Sequence, residues 1–122
     1  MWADTDFLLA LVKESDWLKS KAEQILKKYA GSITTSMSVL IEVALVCQRL
    51  GISVRETFID IFRLIAVDNV ISGTCLEAAL YVDKHGFNVF DAFHAASCGS
   101  DSIISSDSVY EKIGMHRIRL EE

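Results

Sequence analysis

Long stretches with helical spacing of apolar residues alternate along this chain with short β-like runs. Glycine or a small polar residue marks most of the joints. Residues 1–3 read as a very short strand ending at Asp4. Residues 7–12 are too uniformly apolar for a surface helix and read as a buried one, with Asp6 as its N-cap. Asp16 opens a second helix over 17–29. There Trp17, Leu18, Ile25, Leu26 and Tyr29 recur at helical spacing, with Lys19, Lys21, Lys27 and Lys28 between them, and Gly31 stops it. Residues 32–35 are β-like. A helix over 37–50 runs to Gly51, and Ser53 caps another over 54–65, where Phe58, Ile61, Phe62 and Ile65 alternate with Arg55, Glu56, Asp60 and Arg63. Residues 66–70 are a candidate third strand. The helix over 72–85 turns Leu76, Ala79, Leu80 and Val82 inward and stops at Gly86. A helix over 89–100, a strand over 102–105, a short helix over 107–113 ending at Gly114 and a last strand over 117–120 complete the chain.

Helices separate the strand-like runs throughout, and no two runs are joined by a hairpin signal. That order predicts an α/β fold: a three-layer α/β/α sandwich in which helices cover both faces of a central parallel sheet. The 122 residues fit one domain, 1–122, better than two. About half the residues are apolar and there is no proline, which suits a helix-rich chain with short connections. In open parallel sheets, ligands gather at the carboxyl ends of strands. Asp4 and Asp107 each fall just after a predicted strand.

The formal net charge of −5 argues against a general nucleic-acid coat protein, which carries a basic surface. It leaves room for an enzyme that meets phosphates through cations, since such a site must itself be acidic. Cys47, Cys75 and Cys98 form no CxxC pair and read as buried free thiols in a reducing cytoplasm. No signal peptide is visible, and the apolar run 39–47 is interrupted by Glu42 and far short of a membrane span.

Most of the acidic residues lie on polar helix faces. Four do not fit that description. Asp4 ends a strand. Glu42 is flanked on both sides by apolar residues. Asp91 lies within the apolar run 89–96. Asp107 follows Ile103, Ile104, Ser105 and Ser106. An ionised carboxylate in an apolar setting is costly unless it is paired or holds a metal. Each acid taken singly also has an ordinary structural reading: Asp91 or Asp107 as a helix cap, Glu42 pointing outward. Their joint placement, on two strand ends and two apolar helices, is more telling.

In this order the residues resemble a known family. Asp-Thr-x-x-Leu-Leu at 4–9, Glu42 in an apolar helix, Asp-Ala-x-His-Ala-Ala at 91–96 and Ser-x-Asp at 105–107 are similar to a PIN domain, closest in flavour to the small VapC-type toxins. Asp6 stands where the family commonly has Asn, and it adds to the acidic field. The resemblance implies a ribonuclease dependent on Mg²⁺ or Mn²⁺, with Asp4, Glu42, Asp91 and Asp107 as catalytic and metal-holding acids and Thr5, Asp6 and Ser105 in support. It also implies an RNA substrate, a cognate antitoxin protein, a homodimer and a cytoplasmic location without a membrane. His94, one helical turn from Asp91, reads as a satisfied core residue that could instead orient a ligand, and His85 and His116 read as surface. Lys13, Lys19, Arg49, Arg55, Arg63, Arg117 and Arg119 are candidate substrate guides, while the lysines over 19–28 read by default as a solvated helix face.

Other readings fit less well. A haloacid-dehalogenase-type phosphatase would use Asp4 and Asp6, but Leu8 and the chain length sit badly with it. A receiver-like domain lacks its central Asp and late lysine. The more serious rivals keep the fold: a PIN-like module in RNA processing, or a catalytically silent binding protein.

Overall fold

Caps set where most of the helices begin. The computed structural model describes residues 1–121; Glu122, the last residue of the predicted domain 1–122, lies outside the described residues. The first helix, α1 (Thr5–Val12), starts two residues earlier than predicted. Its N-cap is Asp4, whose side chain accepts a hydrogen bond from the Thr5 N–H, and not Asp6, which lies in the first turn as an acid facing the helix N-terminus. Both residues are Asp, so composition does not separate them. The extended backbone at residue 4 does. Next comes α2 (Lys19–Lys28), two residues shorter at its start than expected, with Trp17 left outside it and 90% exposed. Ser36 caps α3 (Met37–Leu50), and Gly51 ends it in the left-handed conformation that glycine adopts most cheaply.

Ser53 caps α4 (Val54–Leu64). Asp83, reaching over from the next helix, accepts from the Val54 and Arg55 N–H groups and from the Ser53 hydroxyl, so the start of α4 is held twice. The predicted strand over 66–70 does not form. The Asp68 carboxylate accepts from the Val70 N–H and opens α5 (Asn69–His85) there, a local side-chain bond that competes with strand pairing. Leu80, expected inward on this helix, is exposed. Then follow α6 (Val89–Cys98), capped by Asn88, β1 (Ile103–Ser105), a 3-10 helix (Ser108–Ile113) capped by Asp107, and β2 (Arg117–Arg119).

The fold is α/β with the weight on α. Among the described residues the sheet is a two-stranded parallel ladder that pairs Ile103 with Arg117, Ile104 with Ile118 and Ser105 with Arg119. A single parallel bridge joins Trp2 to Thr34, and the Ala66 N–H donates to the Ile33 carbonyl at 3.3 Å. No backbone hydrogen bond among the described residues joins residues 1–3 to β1. The continuous central sheet expected from the alternation is therefore reduced to separate parallel pairings. Its strands are too short to do more, because capping residues take up the chain immediately after residue 3 and after residue 35.

The helices carry the packing. Phe58, Phe87, Leu8, Leu40 and Ile61 are the largest fully buried side chains, each worth about 1.5–3 kcal/mol of apolar burial. Ala78 and Ala79 on α5 and Ala92, Ala95 and Ala96 on α6 are buried small residues that let those two helices approach closely. The helix that links the site is α3, which packs against both α1 and α6. Cys47 and Cys75 are buried free thiols and Cys98 is a half-buried one. Burial raises the Cys75 thiol to about 12, which keeps it protonated and inert at neutral pH.

Candidate active site

The N-terminal side is built by the turn into α1 and by the middle of α3. Asp4 is exposed, with one carboxylate oxygen occupied at 2.7 Å by the Thr5 N–H it caps. Thr5 also donates its hydroxyl to Glu42 Oε2 at 2.8 Å, so the residue beside Asp4 ties α1 to α3. Glu42 faces outward although its sequence neighbours are apolar. The buried flank of α3 is Leu40, Val43, Ala44 and Cys47, which leaves position 42 on the other side. Asp6 is exposed and has no hydrogen bond to either acid among the described residues.

The second pair of acids is placed by the start of α6 and by the 3-10 helix. Asn88 and Asp91 hold each other. The Asn88 carbonyl oxygen accepts from the Asp91 N–H at 2.9 Å, and its amide donates to Asp91 Oδ2 at 2.7 Å. The arrangement is like a capping box, except that the returning bond comes from the Asn88 side-chain amide and not from its backbone N–H. The second carboxylate oxygen, Oδ1, accepts from the Tyr110 hydroxyl at 3.2 Å. Both oxygens of the half-buried Asp91 are thus occupied by neutral donors, which fixes the plane of the carboxylate without neutralising it. Tyr110 is buried, and its ring packs edge-on against Phe87. Burial, and after it the Asp91 charge, push the phenol up to about 12, so it remains a donor at neutral pH.

His94 is exposed, contrary to the core role expected for it, and its Nδ1 lies 3.4 Å from the Tyr110 oxygen. Tyr110 has one proton. When that proton goes to Asp91, the phenol oxygen is left to accept from His94 Nδ1–H, which turns Nε2 of a neutral ring into an acceptor. Asp107 is exposed and caps the 3-10 helix through the Val109 N–H at 2.9 Å. Its own N–H donates to Ser105 Oγ at 3.0 Å. Arg117, an expected substrate guide, is buried instead. It donates to the Ser105 carbonyl and pairs with Glu121 and Glu111, pinning the strand end that carries Ser105. Lys19 is likewise occupied, donating to the carbonyls of Leu11 and Lys13 at the C-terminal end of α1. His85 and His116 are exposed, as expected.

The four acids therefore stand as two pairs. Asp4 and Glu42 are linked through Thr5. Asp91 and Asp107 lie close enough to Tyr110 that both charges act on its phenol. Among the described residues no three His, Cys, Asp or Glu side chains form a group that could hold a metal ion as they stand. The donor chemistry does suit Mg²⁺ or Mn²⁺. All four acids offer oxygen, and Asp4, Glu42 and Asp107 each use only one carboxylate oxygen in hydrogen bonds among the described residues. Tyr110 and Asn88 are the residues that sequence reasoning missed. Asn88 was readable, since an N-cap three residues ahead of an acid is a capping signature. Tyr110 was not, because only the fold brings it to Asp91.

No helix among the described residues is long and apolar enough to cross a membrane. The profile of the PIN domain family matches residues 1–114, a span that holds all four acids. No curated protein and no solved structure matches the chain.

Proposed function

The chain belongs to the PIN domain family, whose members are generally nucleases, and from that premise we propose that it is a divalent-metal-dependent endoribonuclease, the toxin of a type II toxin–antitoxin pair. The observation that carries the reading is the match over residues 1–114, which encloses Asp4, Glu42, Asp91 and Asp107 in one span. Asp91 supports it. A half-buried carboxylate held by two neutral donors keeps its direction, which is what a cation ligand needs.

Asp4, Glu42, Asp91 and Asp107 would hold Mg²⁺ or Mn²⁺, which when bound supplies positive charge beside the scissile phosphate and eases loss of a proton from water. The protein's own part is positional. Asn88 and Tyr110 set the plane of Asp91. Thr5 holds one oxygen of Glu42. The Ser105 hydroxyl accepts from the Asp107 N–H and so fixes the turn on which Asp107 sits. Hydrolysis by water leaves a 5′-phosphate and a 3′-hydroxyl and requires no protein nucleophile. On the same reading the fold is a three-layer α/β/α sandwich whose central sheet is worn down to short parallel pairings. The protein works in the cytoplasm as a homodimer, and an antitoxin covers the acids with a basic side chain.

A second reading, a catalytically silent binding module, is favoured by one observation: among the described residues no three acids are grouped as they stand. Incubation of single-stranded RNA with the purified protein separates the two. The nuclease reading expects internal cleavage with 5′-phosphate ends in Mg²⁺ or Mn²⁺ and none in EDTA. In Asp91→Asn the rate should fall by more than the roughly 10–100-fold that outer-shell groups carry. RNA left intact with either cation would leave the silent module.

A further inference from the structure

Trp2 is not explained by packing. It is 74% exposed, although a tryptophan stabilises a fold mainly by being buried. It sits two residues before Asp4 on the extended segment bridged to Thr34, so side chains 2 and 4 project to the same side. Both line one cleft of about 180 Å³, whose other walls include Phe7, Ile25 and Ile33. The cleft is thus apolar and aromatic with a single acid at its edge, and that acid is one of the four proposed to act on the phosphodiester.

Charge around the cleft points the same way. The chain as a whole carries −5, so any attraction for a polyanion must be local. The helix that supplies Ile25 to the cleft, α2, carries four lysines against the one acid Glu23. Lys21 and Lys28 lie one turn before and one turn after Ile25, on the same face. Glu23 is engaged with Lys19 at 3.7 Å, and among the described residues Lys21 makes no ion pair. Lys28 sits 5.3 Å above the Tyr29 ring. An exposed aromatic platform beside a short cationic track is how proteins hold single-stranded nucleic acid without reading its sequence.

We propose that Trp2 is a stacking platform for a nucleobase of single-stranded RNA next to Asp4, with Lys21 and Lys28 meeting the phosphates of adjoining nucleotides. The inference deepens the nuclease reading and rests on it for the identity of the strand. Its test, however, needs no cleavage.

Trp17→Phe leaves Trp2 as the sole tryptophan, and Trp17 is an exposed residue outside any helix. Fluorescence of this protein is titrated with a short single-stranded oligoribonucleotide in low salt and EDTA, and then with an abasic strand of the same length. The expected result is saturable quenching by the intact strand and roughly tenfold weaker binding of the abasic one. By gel shift, Trp2→Ala should weaken binding of the intact strand by about the same factor, and Trp2→Phe should restore much of it. Equal binding of intact and abasic strands, or an unchanged affinity in Trp2→Ala, would overturn the platform even if the protein cleaves RNA. Quenching by bases in a protein that never cleaves RNA would keep the platform and remove the nuclease.

Discussion

The two sides of the candidate site are built to different standards. Asp91 receives a donor on each carboxylate oxygen, from Asn88 and from Tyr110, and sits on α6, where Val89, Ala92, Phe93, Ala95 and Ala96 are buried. Among the described residues Asp4 and Glu42 each receive a single donor, from the Thr5 backbone and the Thr5 hydroxyl, and both are exposed. The neighbouring α2 buries only Ala22, in a small cluster of its own with Ala10 and Leu11. The helices that carry Asp4 and Glu42 are anchored, α1 by Leu8, Ala10 and Leu11 and α3 by Leu40, Val43, Ala44 and Cys47, so the freedom on this side lies in the exposed side chains. On the proposed function the two sides do different work: Asp91 is aimed before any cation or substrate arrives, while the side chains of Asp4 and Glu42 are freer to turn toward one.

Removing the aim should cost more than loosening the mobile side. Tyr110→Phe keeps the ring against Phe87 and deletes the hydroxyl that holds Asp91. It is expected to lower Mn²⁺-dependent RNA cleavage about 10–100-fold, the range for outer-shell partners. Thr5→Val keeps the shape and deletes the hydroxyl on Glu42, and is expected to lower the same rate by less than about tenfold, because Glu42 was free to move already. Rates measured side by side at saturating Mn²⁺ check this, and equal losses would break the comparison.

A smaller effect appears at high pH. Burial, and after it a nearby carboxylate, raises Tyr110 and also Tyr81 from about 10 to about 12. Between those values the folded protein binds more protons than the unfolded chain, so stability falls as pH rises. Their contribution is complete below pH 10 and lost through pH 12. Melting temperature should therefore decline across that window, and decline less steeply in Tyr110→Phe. Parallel curves for the two proteins would show that Tyr110 is not held as described.

How much of this was legible in the sequence depends on how far each signal reaches along the chain. The span Met37–Leu50 agrees with the prediction at both ends; Gly51 marked its stop, and the Ser36 cap at its start went unread although it is equally local. The stop at Gly86 was equally local. Residues 66–70 look like a strand by composition, and the Asp68 cap overrides that composition. The reduced central sheet was invisible, since pairing between short strands depends on distant partners. At the site, Asp91 could be marked as misplaced from its neighbours alone. The bond that aims it joins residues nineteen apart in sequence, and the exposure of His94 follows from which face of α6 meets α5. Apolar neighbours marked Glu42 as unusual and left open whether it points outward, and the helical geometry turns it outward.

The central claim is that the two differently built sides form one cation site, and thermal unfolding in a Mn²⁺ titration tests it most directly. A cation held by the folded state raises its melting temperature by mass action, with about 2.7 kcal/mol of stabilisation at a hundredfold excess over Kd. The account predicts a saturable rise for the native protein that is largely lost both in Asp4→Asn and in Asp91→Asn, one change from each side. No rise in the native protein, or a rise that survives either change intact, would contradict it.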